Sequence, residues 1–365
     1  MRAYPLQTIG IEAAKQLQFR FIDEITQVFD GREILSLGDL GVTTGINKPT
    51  YTQKVEQVLA HFFGVESAIL VRGAGTGAIR WALASCFKSG EKILVHKAPI
   101  YPTTKVTVET MGLEVVKVDF HNLEDLEEVI KANSSIKGAI VQYTRQKLDD
   151  HYNYEEVIRT MKEAREDLKI ITDDNYAAMK VEKIGCQYGA DLSTFSTFKL
   201  LGPEGVGVVL GRKEWVDKIY HYNYSGGSQV QGHEAMSVLR GMVYAPVALA
   251  IQGEVNETLV ERLNQGEVEK VKQAFIVNAQ SKVVIVEFEE NIARQVLEAT
   301  SKLGAAAYPV GSESIYEFVP MIYRVSGTFR AQDPTLEERM IRINPMRSGA
   351  DTIIRILQEA VQLVK

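Results

Sequence analysis

The sequence predicts an α/β protein: a large domain with a mostly parallel sheet sandwiched by helices, followed by a smaller C-terminal α/β domain. Strand-like apolar runs alternate with helix-like amphipathic runs from about residue 52 to about residue 220, the pattern of a parallel sheet with crossover helices. A long helical stretch over 234–264 then separates this region from a second, shorter alternation beginning near residue 281. With 365 residues and 45% hydrophobic content, the chain can bury a sizeable core and divide it between two domains.

Taken in order, 8–29 has the periodicity of an amphipathic helix that Gly31 stops. Helices are predicted over 52–63, 77–87, 123–131 and 155–165. Between and after them, strands are predicted over 68–71, 92–95, 114–118, 138–142, 169–172, 192–195 and 206–210. Pro246 should kink or interrupt the 234–264 helix, because proline lacks the amide that a helix interior uses. The last part reads as 283–288, then 292–303, strands near 321–325 and 340–344, and finally 351–364. The expected domains are 1–47, an N-terminal helix and interface segment, then 48–250, the large domain, and 251–365, the small one.

Composition narrows the function. A formal net charge of -6 and a pI near 5.7 argue against a nucleic-acid surface. Cys86 and Cys186 form no metal pattern and no disulfide framework, as expected for a reduced cytoplasmic protein. The six histidines are scattered without ligand spacing, so no metal site is expected. No apolar run reaches membrane-spanning length without a polar interruption, and no membrane partner is expected.

Lys199 carries the strongest chemical signal. It follows the strand-like Ala190 to Phe198 and precedes the glycine-rich Gly202-Pro203-Glu204-Gly205-Val206-Gly207, which places it where two core elements meet. A lysine buried there is either paired or held with a lowered pKa, and the chemistry that uses one is a Schiff base with a carbonyl cofactor. The alternative is a lysine snorkelling from a strand end. Upstream, the apolar run 169–172 ends in Asp173 and Asp174. Pyridoxal phosphate requires one such acid against its pyridine nitrogen, and Asp173, nearer the sheet edge, is the candidate. Asp174 reads as a loop or capping acid whose replacement by asparagine should be mild. Gly75, Thr76 and Gly77, between a strand and a helix, suit a phosphate cradle built from amides at a helix start. A ligand-free turn is one alternative and a dinucleotide site the other, with His96-Lys97 meeting the extra phosphate of NADP. The spacing is Gly-x-Gly-x-Gly, which departs from the dinucleotide fingerprint.

In their order and spacing, Gly75-Thr76-Gly77-Ala78, Tyr101, Asp173, Lys199 and Arg342 resemble the fold-type I pyridoxal-phosphate enzymes, the aspartate aminotransferase superfamily. The resemblance spans nearly the whole chain. It implies pyridoxal 5'-phosphate as cofactor, Lys199 and Asp173 as catalytic residues, and cofactor contacts from Gly75, Thr76, Gly77, Asn175 of the acid motif, and Ser196. Tyr101 resembles the aromatic residue that stacks on the cofactor ring, and Arg342 the late-strand arginine that clamps a substrate carboxylate. Arg324 and Arg347 are nearby rivals for that task. The chain stands between the cystathionine lyase-like and selenocysteine synthase-like branches: Thr43 and Gly45 replace the tyrosine and arginine that the lyases lend across a dimer, and Gly207 replaces the aminotransferase arginine eight residues after the lysine. A small amino acid substrate and an aminotransferase-like reaction are implied, with a C–S or other β-eliminating lyase as the close alternative. A dehydrogenase and a cofactor-retaining protein without turnover remain as other classes. The resemblance further implies a homodimer with interface active sites, the 38–50 segment ordered against the partner and Lys48 supplying the charge of the missing arginine.

Overall fold

The architecture was taken from a computed structural model, which describes residues 3–144, 147, 149–279, 281–308 and 313–364. In chain order, α1 (Ile11–Val28) and α2 (Thr50–Phe63) precede β1 (Ser67–Arg72), α3 (Ala74–Cys86) and β2 (Lys92–His96). Then follow α4 (Pro102–Thr110), β3 (Glu114–Val118), α5 (Leu123–Ala132), β4 (Ile136–Gln142), α6 (Tyr154–Ala164), β5 (Lys169–Asp173) and β6 (Leu192–Ser196). β7 (Val206–Gly211), α7 (Lys213–Tyr222) and α8 (Gly232–Asn264) complete the first half. The remainder is β8 (Val271–Ala279), β9 (Ser281–Phe288), α9 (Ala293–Lys302), β10 (Met321–Arg324), α10 (Gly327–Gln332), α11 (Leu336–Arg339), β11 (Met340–Asn344) and α12 (Ala350–Leu363).

The chain forms two compact units, one of residues 15–143 with 151–246, the other of 1–14, 144–150 and 247–365. The larger unit holds a sheet of order β1-β7-β6-β5-β4-β2-β3. β7 alone runs antiparallel to its neighbours β1 and β6, so every other strand points its carboxyl end to one edge. Its central strands are apolar throughout because both faces are covered, and every residue of β6 and of β7 is buried. Ile69, Val71, Ile79, Leu83, Ile93, Ile171, Val209 and Ile219 form one packed core there, joining strands to α3 and α7. The smaller unit is an antiparallel sheet of order β10-β11-β9-β8. Val284, Val286, Ile341 and Ile343 on one face pack with Val296 of α9 and Ile353 and Leu357 of α12.

The structure corrects several expectations. α3 begins at Ala74, so Gly75 and Gly77 lie inside its first turns. α4, α7 and β8 had no predicted counterpart. α4 is rich in Thr and Val, weak helix formers, and is started by Pro102 at its first position. β8 closes its register as an antiparallel hairpin partner of β9. α8 runs through Pro246 as one helix, and the boundary between the units falls there. It is also long and apolar enough, at a mean hydropathy of 1.3, to cross a membrane by length and composition, but 56% of that window is buried in the protein, as in a core helix.

Candidate active site

All the sequence-predicted site residues except Arg342 fall in the larger unit, at or just beyond the carboxyl ends of its parallel strands, where open α/β sheets place their sites. Asp173 ends β5 and is 5% exposed. Asn175 folds back on it: its amide nitrogen Nδ2 donates to Asp173 Oδ1 at 2.7 Å, and its backbone N–H donates to the same oxygen at 3.1 Å. Burial pushes the Asp173 carboxyl up, while the Lys199 charge and the Asn175 bonds pull it back down.

Asn175 is the hub of the arrangement. Its Oδ1 accepts from the backbone N–H of Ser196, the end of β6, at 2.9 Å and from Lys199 Nζ at 3.4 Å. Lys199 lies on the short 3₁₀ turn Thr197–Leu200, and it is half-buried, not enclosed as the strand-to-strand setting suggested. Its Nζ sits 3.9 Å from the centre of the Tyr176 ring, a cation–π contact that shields the ammonium. Tyr176 was outside the predicted set. Its signal in the sequence is the aromatic residue three positions after the acid.

The glycine cluster forms a cradle at the start of α3. Gly73 and Ala74 donate their amides to Gly205 O at 2.8 and 3.0 Å, tying the turn to the loop that follows Lys199. A Cβ at Gly77 would lie 2.1 Å from Arg72 O, so this turn admits only glycine there. Thr76 and Thr103 share a hydroxyl hydrogen bond of 2.9 Å, bringing α3 and α4 starts together. Tyr101 precedes α4, half-buried, and its phenol is pushed up by burial and by the Asp173 charge. Gly207 has a structural reason: a Cβ there would fall 2.2 Å from Ala74 O, so the aminotransferase arginine has no room at this position.

Arg342 belongs to the smaller unit, on β11 opposite Tyr323 of β10. Its guanidinium stacks 4.0 Å over the Tyr323 ring. Arg347 in the same unit donates to Gln252 Oε1 at 3.2 Å.

Three other readings change. Asp174 is not a loop acid: it is wholly buried, with donors on both oxygens. Lys48 is buried and paired with Glu56 at 2.5 Å, its ammonium 4.7 Å from the Tyr220 ring, so its charge is used within its own chain. Both line a cavity of about 650 Å³ away from Lys199. Three of the six histidines scattered in sequence meet in space, His121 with its ring 5.3 Å from His96 and 4.4 Å from His151. His96 Nδ1 accepts from the Phe120 N–H, His121 lies between Asp119 and the His151 N–H, and ligand atoms of His96, His121 and Asp150 lie within 4.8 Å of one another, a grouping that the sequence spacing did not show.

Residues 43–242 match the family aminotransferase class-V, and residues 257–357 match the YhfS-like C-terminal domain. The protein YhfS of Escherichia coli (strain K12) is 52% identical over 361 residues, 99% of each chain. A crystal structure of Escherichia coli YhfS, described as pyridoxal-5'-phosphate dependent, superposes over 100% of both chains with a TM-score of 0.97 at 51% identity. At the level of fold alone, cystathione gamma lyase from Micromonospora echinospora matches with a TM-score of 0.73 at 15% identity, over 95% of this chain and 99% of that one. A carbon-sulfur lyase involved in aluminium resistance from Clostridium novyi matches with a TM-score of 0.72 at 16% identity, over 97% and 91%. This chain belongs to the class-V aminotransferase family of fold-type I pyridoxal-phosphate enzymes, alongside YhfS.

Proposed function

We propose that this protein is a pyridoxal-phosphate-dependent enzyme that acts on the amino group of an amino acid, with Lys199 as the cofactor lysine and an aminotransferase-like outcome. The observation that carries this reading is the Asp173–Asn175–Lys199 chain, in which one asparagine spaces an acid and an amine at the carboxyl edge of the sheet. The residues fit the group. The amides of the first turn of α3, with Gly75, Thr76 and Gly77, would hold the phosphate with the helix dipole in their favour, and Ser196 at the end of β6 would add a further contact. Tyr101 would lie against the ring, and Asp173 would keep the ring nitrogen protonated.

When bound, the cofactor supplies an electron sink for the bond broken at the substrate Cα. Lys199 does the proton work. Its Nζ, in contact with Asn175 Oδ1 and the Tyr176 face, would take a proton from Cα and return it. Asn175 also donates to Asp173, so the acid and the base are set by the same side chain. Arg342, whose planar guanidinium lies over the Tyr323 ring, is the proposed carboxylate partner. Lys199→Ala should abolish the borohydride-stable adduct while the protein remains folded. Mass spectrometry that placed the adduct of the reduced wild type on another lysine would sink the assignment. A panel of amino acids scored for keto acid and for released ammonia or sulfide separates transamination from β-elimination, the competing outcome.

We also propose a homodimer with its active sites at the subunit interface. The support is an apolar strip in the larger unit: Leu35, Leu37, Leu40 and Val42 are 81%, 78%, 75% and 52% exposed, too much apolar surface in one short segment to leave in water.

A further inference from the structure

Asp174 is the acid beside the site for which the proposed chemistry has no use, yet it is among the most completely enclosed polar residues of the chain, at 0% exposure. Among the described residues, the hydrogen bonds to its carboxylate come from donors. The Tyr154 hydroxyl donates to Oδ1 at 2.8 Å, the Thr172 hydroxyl to Oδ2 at 2.7 Å, and the Gly185 N–H to Oδ1 at 3.3 Å. The Thr172 and Ser193 hydroxyls lie 3.0 Å apart, and either can donate to the other. The Ser193 oxygen in turn accepts from the Cys186 N–H at 2.8 Å. Cys186, Ser193, Thr172 and Asp174 are thus joined in one hydrogen-bonded network, which ties the acid to β5, to β6 and to the turn that follows it.

The backbone at Asp174 builds the turn that carries the site. Its N–H donates to Thr194 O at 2.9 Å, and its carbonyl accepts from the Ala177 and Ala178 amides at 3.0 Å. Within that turn Tyr176 and Met179 have φ of 65° and 62°, left-handed values that side-chain-bearing residues hold only where the surroundings enforce them. Asn175 and Tyr176 ride on this turn, and both touch Lys199 Nζ.

We propose that Asp174 is a positioning residue for Lys199: tied to α6 through Tyr154 and to β5 through Thr172, it holds the 174–179 turn so that Asn175 and the Tyr176 ring stay against Nζ. This rests on the reading of Lys199 as the cofactor lysine. The titratable groups beside Asp174 are Tyr154 on α6, with Tyr143 stacked on it at 3.9 Å, Cys186 on the following 3₁₀ turn, and Asp173 on β5 itself. Burial pushes the Cys186 thiol up to about 12 and the Tyr154 phenol upward as well, so both stay neutral. Burial raises Asp174 to about 6.

The test uses the cofactor-loaded protein as wild type, Asp174→Asn and Tyr154→Phe. For each, the visible absorbance of the bound cofactor is titrated with pH, the borohydride adduct is mapped, and the melting temperature is recorded. The expected result is an adduct on Lys199 in all three. The absorbance midpoint should move by about half a pH unit or more in Asp174→Asn, roughly threefold in the ionisation constant, and less, in the same direction, in Tyr154→Phe. Midpoints equal to wild type in both variants, whatever the melting temperatures, would show that Asp174 only fills the core. Should Asp174→Asn fail to fold, Tyr154→Phe decides by the same criterion. A wild-type adduct on another lysine overturns the reading of Lys199 and, with it, this proposal.

Discussion

Asp173 and Asp174 are neighbours whose side chains enter different surroundings, as alternation along a strand end dictates. Asp173 meets Asn175 and the charge of Lys199, whereas Asp174 meets the hydroxyls of Tyr154 and Thr172. Asp173→Asn keeps the size and loses the charge. It should impair turnover far more than cofactor retention, because the phosphate contacts lie elsewhere, and comparing turnover with the cofactor dissociation constant checks this. Because Asp174 is wholly buried, its replacement should be more than the mild change that a loop acid would allow. Its carboxyl is raised by burial from 3.8 to about 6, so its neutral form is the one folding favours. The associated stability is present below the unfolded value and is lost as pH rises through about 6. Denaturant melts of wild type against Asp174→Asn should therefore shift in favour of the variant by on the order of 3 kcal/mol between about pH 4 and about pH 7. A gap independent of pH would refute the raised carboxyl.

At the scale of elements, the cradle depends on two close backbone approaches. A methyl group at Gly77 would meet Arg72 O, and one at Gly207 would meet Ala74 O. Gly77→Ala should displace the first turn of α3 and weaken cofactor binding at least tenfold, read by equilibrium dialysis, because the amides that face a phosphate move together. Gly207→Arg restores the residue that aminotransferases carry but should destabilise the fold by about 1–3 kcal/mol and restore nothing, since β7 is packed on both faces. A variant as stable as wild type would show that the turn can shift.

For the whole molecule, the exposed strip from Leu35 to Val42 and the inward-turned Lys48 point to an interface driven by apolar burial. Sedimentation at low micromolar concentration should find a dimer, and Leu37→Glu with Leu40→Glu should convert it to monomer. Wild type that is monomeric with cofactor bound would rule the arrangement out.

What the sequence determined by itself was local. Strand and helix alternation, the acid at the end of the 169–173 run, and the lysine between a strand and a glycine-rich turn are all readable within a window of a few residues, because periodicity and turn chemistry act over that range. Only the tertiary structure decided which groups meet. Asn175 reaches back to Asp173 and across to Ser196 and Lys199, a convergence made by β5 and β6 lying side by side. The burial of Asp174 depends on α6 delivering Tyr154 from 20 residues upstream. β8 needed its partner β9 to be a strand, and the antiparallel course of β7 follows from pairing with β1, far away in the chain. Burial and partners are properties of the packed whole, so a residue's type and its immediate neighbours do not contain them.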